Sequence, residues 1–323
     1  MRLIAIVIAV VLTGNSLSVV AQNHIEQLPY GNMDQWILRK VTESAIIGKN
    51  NRELYAPGRP DTVCGKLTYD PGDSPWATSN VVAKVSGVTK ASISVYPEKR
   101  GEGYCARLET AKEVCSALGI VNIKVLVGGS FFLGRSIEPV RGTSNPRSKI
   151  ASGIPFRRKP TSLVFDYKVK LSGKNERIRL DGFSRQKTVE GKDMPMVCLF
   201  LQKRWEDASG ALYAKRIGTV VAHFAQDTDW VEQACFPIRY GDITKEAGFY
   251  SYMDLLPEDD LRYAYNSKGE NVPVKEVGWG AADEEPTHLI LEFLSSHGGC
   301  YVGMPGTTFW VDNIGFVYSD TKK

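Results

Sequence analysis

The stretch TTFWVDNIGFVY (307–318) carries the phase change on which the fold reading turns. It follows a Gly/Pro-rich approach, GGCYVGMPG (298–306), and is dense in β-branched and aromatic residues, so it reads as a strand. Phe309 and Val311 put apolar side chains on odd positions; Ile314, Phe316 and Tyr318 put them on even ones. A two-residue repeat cannot change phase without an extra residue, which predicts a β-bulge near Asp312-Asn313. Such a strand predicts a β-sandwich closed by its final strand. The bulge also leaves a carboxylate inside the apolar run, facing either a structural cation or the backbone amides that the bulge exposes.

Other segments of the 323-residue chain share this character. TSLVFDYKVKL (161–171), MPMVCLFLQKR (194–204), RIGTVVAHFA (216–225), DWVEQACFPIRY (229–240) and THLILEFLSS (287–296) are strand-like and of sandwich-strand length. Earlier, 91–96 and 104–110 read as strands. LGIVNIKVLVGGSFFLG (118–134) reads as one or two strands broken at Gly128-Gly129. DLLPEDDLRYAYNSKGE (254–270) is the longest insertion, with a short helix expected after Pro257. No amphipathic helix of three turns and no repeat of 20–50 residues stands out. Antiparallel β-structure with long loops is the economical reading.

After Met1 and Arg2 comes the apolar run LIAIVIAVVL (3–12), then small residues with Val19 and Ala21 where a signal peptidase reads. This predicts a signal peptide over 1–21, cleaved after Ala21, and a single soluble domain over 22–323 in the periplasm, at the cell surface or secreted. A formal charge of +4 is too mild to argue for nucleic acid or a membrane surface. The six cysteines include no C-x-x-C pair, which argues against a thiolate zinc site. Cys198 and Cys235 read as small core residues; Cys105 and Cys115 either close a loop or stay free. Residues 135–159 carry seven basic side chains against one acid, and 254–285 nine acids against three bases. These read as two solvated loops that face each other, or else the first is a rim for an acidic sugar.

Several segments, in order, resemble one family. They are NMDQW (32–36), PWATSN (75–80), YCARLET (104–110), GGSFFLG (128–134), SGIPFRRKPTSLVFDYKV (152–169), DWVEQACFPIRY (229–240), LEFLSSHGGCYVGMPGT (291–307) and FWVDNIGFVY (309–318). With them the chain resembles the putative carbohydrate metabolism domain family, exported proteins of polysaccharide-degrading gut bacteria. The resemblance implies an all-β jelly-roll β-sandwich similar to carbohydrate-binding modules, galactose-binding-like in build, and a role in glycan use. No catalytic constellation defines that family. Members often carry a lipoprotein signal or an N-terminal immunoglobulin-like domain, and neither is read here.

A sugar-binding sandwich needs flat aromatic faces and a few orienting polar side chains. Of six tryptophans, Trp205 in QKRWEDASG and Trp279 in EVGWGAADEE sit among polar neighbours and are the expected carbohydrate contacts. Trp36 and Trp230 read as core, and Trp310 as packing beside the bulge. A structural calcium ion pinning the first and last strands would use Asp34 and Asp312. A glycoside hydrolase would instead need two carboxyl groups across a cleft, for which the loops 227–229, 258–260 and 283–285 offer candidates without a signature. The four histidines lack metal spacing, and no G-x-S-x-G elbow or phosphate-cradling loop occurs. The expectation is a non-catalytic glycan-binding protein; a hydrolase, or a structural or adhesive surface component with envelope partners, are the alternatives.

Overall fold

The computed structural model describes residues 24–65, 71–117, 121–182 and 184–319; the predicted signal peptide lies outside the described residues. Further strands extend both sheets at their edges; eight strands, numbered here in chain order, form the centre of the sandwich. They are β1 (Gly103–Ala117), β2 (Ser130–Ser136), β3 (Ser162–Lys170), β4 (Met196–Glu206), β5 (Leu212–His223), β6 (Thr228–Pro237), β7 (His288–Leu294) and β8 (Thr308–Val317). One sheet has the order β1-β8-β3-β6 and the other β2-β7-β4-β5, with every pairing antiparallel. That order results when a ribbon pairing β1 with β8, β2 with β7, β3 with β6 and β4 with β5 rolls over on itself. The fold is therefore an all-β jelly roll.

The bulge lies where the sequence phase requires it. Val164 pairs with Gly315 and Asp166 with Asp312, so Asn313 and Ile314 together oppose Phe165, and Asn313 takes φ 51°. The extra residue restores the phase, and Phe309, Val311, Ile314 and Phe316 all point into the core. Each contributes about 1.5–3 kcal/mol by leaving water. The two sheets meet through rings: Phe165 of β3 stands edge-on to Phe293 of β7 at 5.0 Å, and Phe293 stacks on Phe131 of β2 at 4.8 Å. The N-terminal segment joins the last strand, with Ile25–Gln27 pairing antiparallel to Gly315–Val317 and Met33 fully buried in the core.

The two outer sheet faces differ. The outer face of the second sheet is covered by the segment 250–262, through Met253, Leu256 and Arg262, while Asn271–Trp279 extends the sheet beside β5, and charged groups are trapped there. Glu276 accepts from Arg216 Nε at 2.6 Å, Gln202 Nε2 at 2.6 Å and the Leu256 amide at 2.8 Å. Glu292 accepts from Arg262, while Asp260 bridges Arg262 and Arg147. The basic and acidic stretches thus face each other, through Arg147–Asp260 and through Lys159 donating to the Ala282 carbonyl. The short helical turn falls at Ser251–Met253 rather than after Pro257. Among the described residues no comparable segment covers the outer face of the first sheet, whose side chains are mostly half-exposed.

All six cysteines are free. Cys105 and Cys115 lie on the single strand β1, too far apart at about 3.3 Å per residue to be bridged. Cys198 is buried, but Cys235 is exposed on β6, which corrects its reading as core.

Candidate functional site

The open face of the first sheet is built from outward positions of five adjacent strands. The strand Val95–Arg100 pairs with β1, so Tyr96, Arg107, Trp310 and Lys168 lie side by side across it. Trp310 Nε1 donates to Glu98 Oε1 at 2.9 Å, and the Lys168 amine lies 5.2 Å from the Trp310 ring centre. β6 is irregular here: Tyr167 pairs with Val231 and Val169 with Thr228, so Asp229 and Trp230 have a single residue to oppose. The irregularity turns Trp230 outward, where the Arg100 guanidinium covers its ring at 3.8 Å. Trp230 is therefore not core, and Trp310 stands on the outer face rather than in the packing; both are half-exposed.

Beside these rings lies a depression of about 410 Å³. Val164 forms its floor, and Gly315, paired with both Val164 and Gln27, adds no side chain to fill it. A Cβ at Gly315 would stand 2.7 Å from Ile25 Cγ2 in the wall. Arg100 is the hub. Its Nη1 donates at 2.7 Å to both Asp166 Oδ2 and Asp312 Oδ2, and its Nη2 stands 3.4 Å from Glu232 Oε1. Asp166 also accepts from Asn313 Nδ2 at 2.8 Å and from the Gln233 amide at 2.7 Å.

One guanidinium cannot serve two buried carboxylates equally. Burial opposes charge at Asp166, but the donors from Asn313, Gln233 and Arg100 prevail and hold its carboxyl below the usual range. At Asp312 burial wins over Arg100 and the Asn313 amide, and repulsion from Asp166 adds to it, so its carboxyl is pushed up to about 6. The backbone is strained at the same place: Gln233 and Asn313 both have left-handed φ, 49° and 51°. Asn tolerates that conformation; Gln does so poorly. Gln233→Gly is expected to raise the unfolding free energy by about 0.5–1 kcal/mol in urea denaturation. A loss of stability would show that the Gln233 side chain is needed for packing.

The expected site residues fall elsewhere or take other roles. Trp205, 42% exposed, ends β4 and stacks on Tyr213 of β5 at 5.9 Å. Trp279 is half-buried on the strand Asn271–Trp279, beside the buried Arg216. Neither lines the cleft. Asp34 accepts from the Tyr104 amide at 2.9 Å, and the cation beside Asp312 is Arg100. Among the described residues no group of three or more His, Cys, Asp or Glu side chains converges as a metal set. Of the acidic loops, Asp260 and Glu284 are held in ion pairs with Arg147 and Lys203. Sequence reasoning missed Arg100, Asp166, Glu232 and Gln233 as a group. The available signal was Asp166 itself, a carboxylate inside the apolar run of β3 that matches Asp312 inside β8.

A second cavity, of about 280 Å³, lies under the hairpin of Val81–Val85 and Val88–Ser92. Val81, Val85, Val88, Ile123 and Val125 give it mostly apolar walls, with Lys90, Glu113 and Tyr301 also in its lining. The Arg100 cleft has the smaller apolar share in its walls.

Fold and cleft together define a jelly-roll sandwich with one roofed and one open sheet face. The chain belongs to the family described as putative carbohydrate metabolism domain, whose model matches residues 61–230, a span that includes Arg100, Asp166 and Trp230. Among solved structures it is similar to a crystal structure described as a putative glycoside hydrolase from Bacteroides thetaiotaomicron. The two are 15% identical, with 82% of this chain and 78% of that one covered, at a TM-score of 0.42. No protein of curated function matches the chain.

Proposed function

We propose that this protein is an exported, non-catalytic glycan-binding protein of polysaccharide use, and that it holds sugar in the cleft centred on Arg100. Membership of a carbohydrate-metabolism family supports the ligand class. The observation that carries the site is the convergence of planar polar groups, Glu232, Gln233 and Asn313, around an apolar floor at Val164. A sugar ring presents hydroxyl groups at its rim and C–H groups on its faces, and it needs that combination of partners. Glu232, whose side chain is 74% exposed and touches Arg100 through one oxygen, keeps its other oxygen for a ligand hydroxyl. Glu232→Ala is expected to weaken binding about tenfold, the loss of one charge-assisted hydrogen bond, without changing thermal stability. Titration of wild type and variant over a panel of soluble plant and host glycans checks this. No binding by the wild type to any of them would refute the reading.

A second reading rests on one observation: Asp312 and Asp166 are adjacent carboxyl groups with opposite pKa shifts, as in an acid–base pair. Both are nearly buried and both face Arg100, which favours binding over hydrolysis. Reducing-sugar release from the same panel would select the hydrolase. The proposal also takes the N-terminal signal as functional, placing the protein in the periplasm or at the cell surface among envelope partners; cell fractionation tests that placement.

A further inference from the structure

The hairpin of Val81–Val85 and Val88–Ser92 belongs to neither sheet of the sandwich. Its strands meet at a two-residue turn, Ser86-Gly87, where both residues take left-handed φ. It leans on β1 and on Val121–Gly128, the strand that pairs with β1. The side chains that line the gap are short: Ala83, Val85, Val88, Ile123, Val125 and Val127. They do not reach across it, and a cavity of about 280 Å³ remains. Walls around a void lose dispersion partners, so the native state keeps this space at a cost that a well-shaped guest would offset.

The polar groups of the wall are largely committed. The Tyr301 hydroxyl donates to the Thr143 carbonyl at 2.8 Å, and the Ser136 hydroxyl to the Thr78 carbonyl at 2.9 Å. Lys90 lies between Glu43 and Glu113, at 3.2 and 3.4 Å, and Arg147 pairs with Asp260. Lys149 differs. It lines the cavity and is half-buried, and its ammonium has no hydrogen bond or ion pair among the described residues. A partly desolvated ammonium beside apolar walls favours a ligand that joins one anionic group to an apolar body.

Size narrows the class further. An apolar cavity of roughly 150 Å³ holds benzene, with its six carbons, so one nearly twice as large holds about ten to twelve. We infer that this cavity binds a single-chain fatty acid of about that length, its alkyl chain beneath the hairpin and its carboxylate on Lys149. The Arg100 cleft and its sugar play no part in this site.

Calorimetric titration of the protein with octanoate, decanoate and decanol, all below their solubility and micelle limits, tests the assignment. Decanoate should bind one to one and about fifteenfold more tightly than octanoate, the worth of two buried methylenes. Lys149→Gln should weaken decanoate about tenfold, the loss of one charge-assisted contact, and leave decanol within about twofold. Ala83→Trp, which fills the space, should abolish binding of both. Since Ala83→Trp also alters the hairpin itself, the wild type provides an independent readout. Cys115 is a free thiol in the cavity wall, and bound decanoate should slow its alkylation in proportion to the liganded fraction. No decanoate binding, or binding that leaves Cys115 alkylation unchanged, overturns the site. Equal weakening of decanoate and decanol by Lys149→Gln overturns the placement of the carboxylate on Lys149.

Discussion

Arg100→Ala is expected to lower the unfolding free energy by about 3–5 kcal/mol at pH 7.5 and to abolish glycan binding. Removing one partner from a buried ion pair costs that much because the remaining charge is left without compensation. Here two charges are left: the Asp166 and Asp312 side chains are 6% and 7% exposed, and both accept from the same Nη1 at 2.7 Å. The substitution also uncovers Trp230 and removes the contact to Glu232, so the wall of the cleft loses its order. The loss should shrink toward pH 5, as a proton on one carboxyl takes the place of the guanidinium. Arg100→Ala/Asp312→Asn should recover part of the stability, since a single buried carboxylate then remains, with donors from Asn313 and the Gln233 amide. Chemical denaturation of the three proteins at two pH values checks this. A pH-independent loss below 1 kcal/mol would show that Arg100 is not the hub.

The second large effect has the opposite sign. The Asp312 carboxyl titrates near 6 in the folded protein, against 3.8 for an unperturbed aspartate. A carboxyl whose folded pKa is raised contributes stability that is fully present below its unfolded value and lost as pH rises through its folded value. On going from about pH 4 to above pH 6, Asp312 therefore costs the native state on the order of 2–3 kcal/mol, at 1.36 kcal/mol per pKa unit. Asp312→Asn should remove that cost. The variant is expected to be more stable than wild type at pH 7.5 by up to that amount, and equal to it near pH 4. Asp166 works the other way: its pKa is lowered, so its contribution is present above its unfolded pKa and lost as pH falls through its folded one. Asp166→Asn should destabilise at neutral pH, and thermal denaturation across this range separates the two carboxyls. Destabilisation by Asp312→Asn at both ends of the range would show that Asp312 is a net stabilising partner of Arg100.

Much of the fold was legible because burial imposes period-two alternation on each strand. The phase change in TTFWVDNIGFVY located the bulge, since Phe309 and Ile314 cannot both face inward without it. Strand order was not written locally; it emerges from long-range pairings such as Arg107 with Trp310 and Leu199 with Leu291. The site was harder to read for the same reason. Its members are outward positions of strands far apart in sequence, and only register brings Arg100, Asp166, Glu232 and Asn313 together. Trp230 was misread because DWVEQACFPIRY is apolar enough to pass for a core strand, and the irregularity that turns it outward leaves no mark in composition. Trp205 and Trp279 were chosen for polar neighbours, a criterion that finds strand ends and loops but not clefts.

The central claim is that sugar sits on the open face of the first sheet. A crystal structure of the protein with the tightest-binding oligosaccharide of the panel tests it most directly. A sugar ring over Val164, with Glu232, Gln233 and Asn313 within hydrogen-bond reach, is the predicted result. A sugar bound only elsewhere, with the Arg100 cleft holding nothing but water, would contradict it.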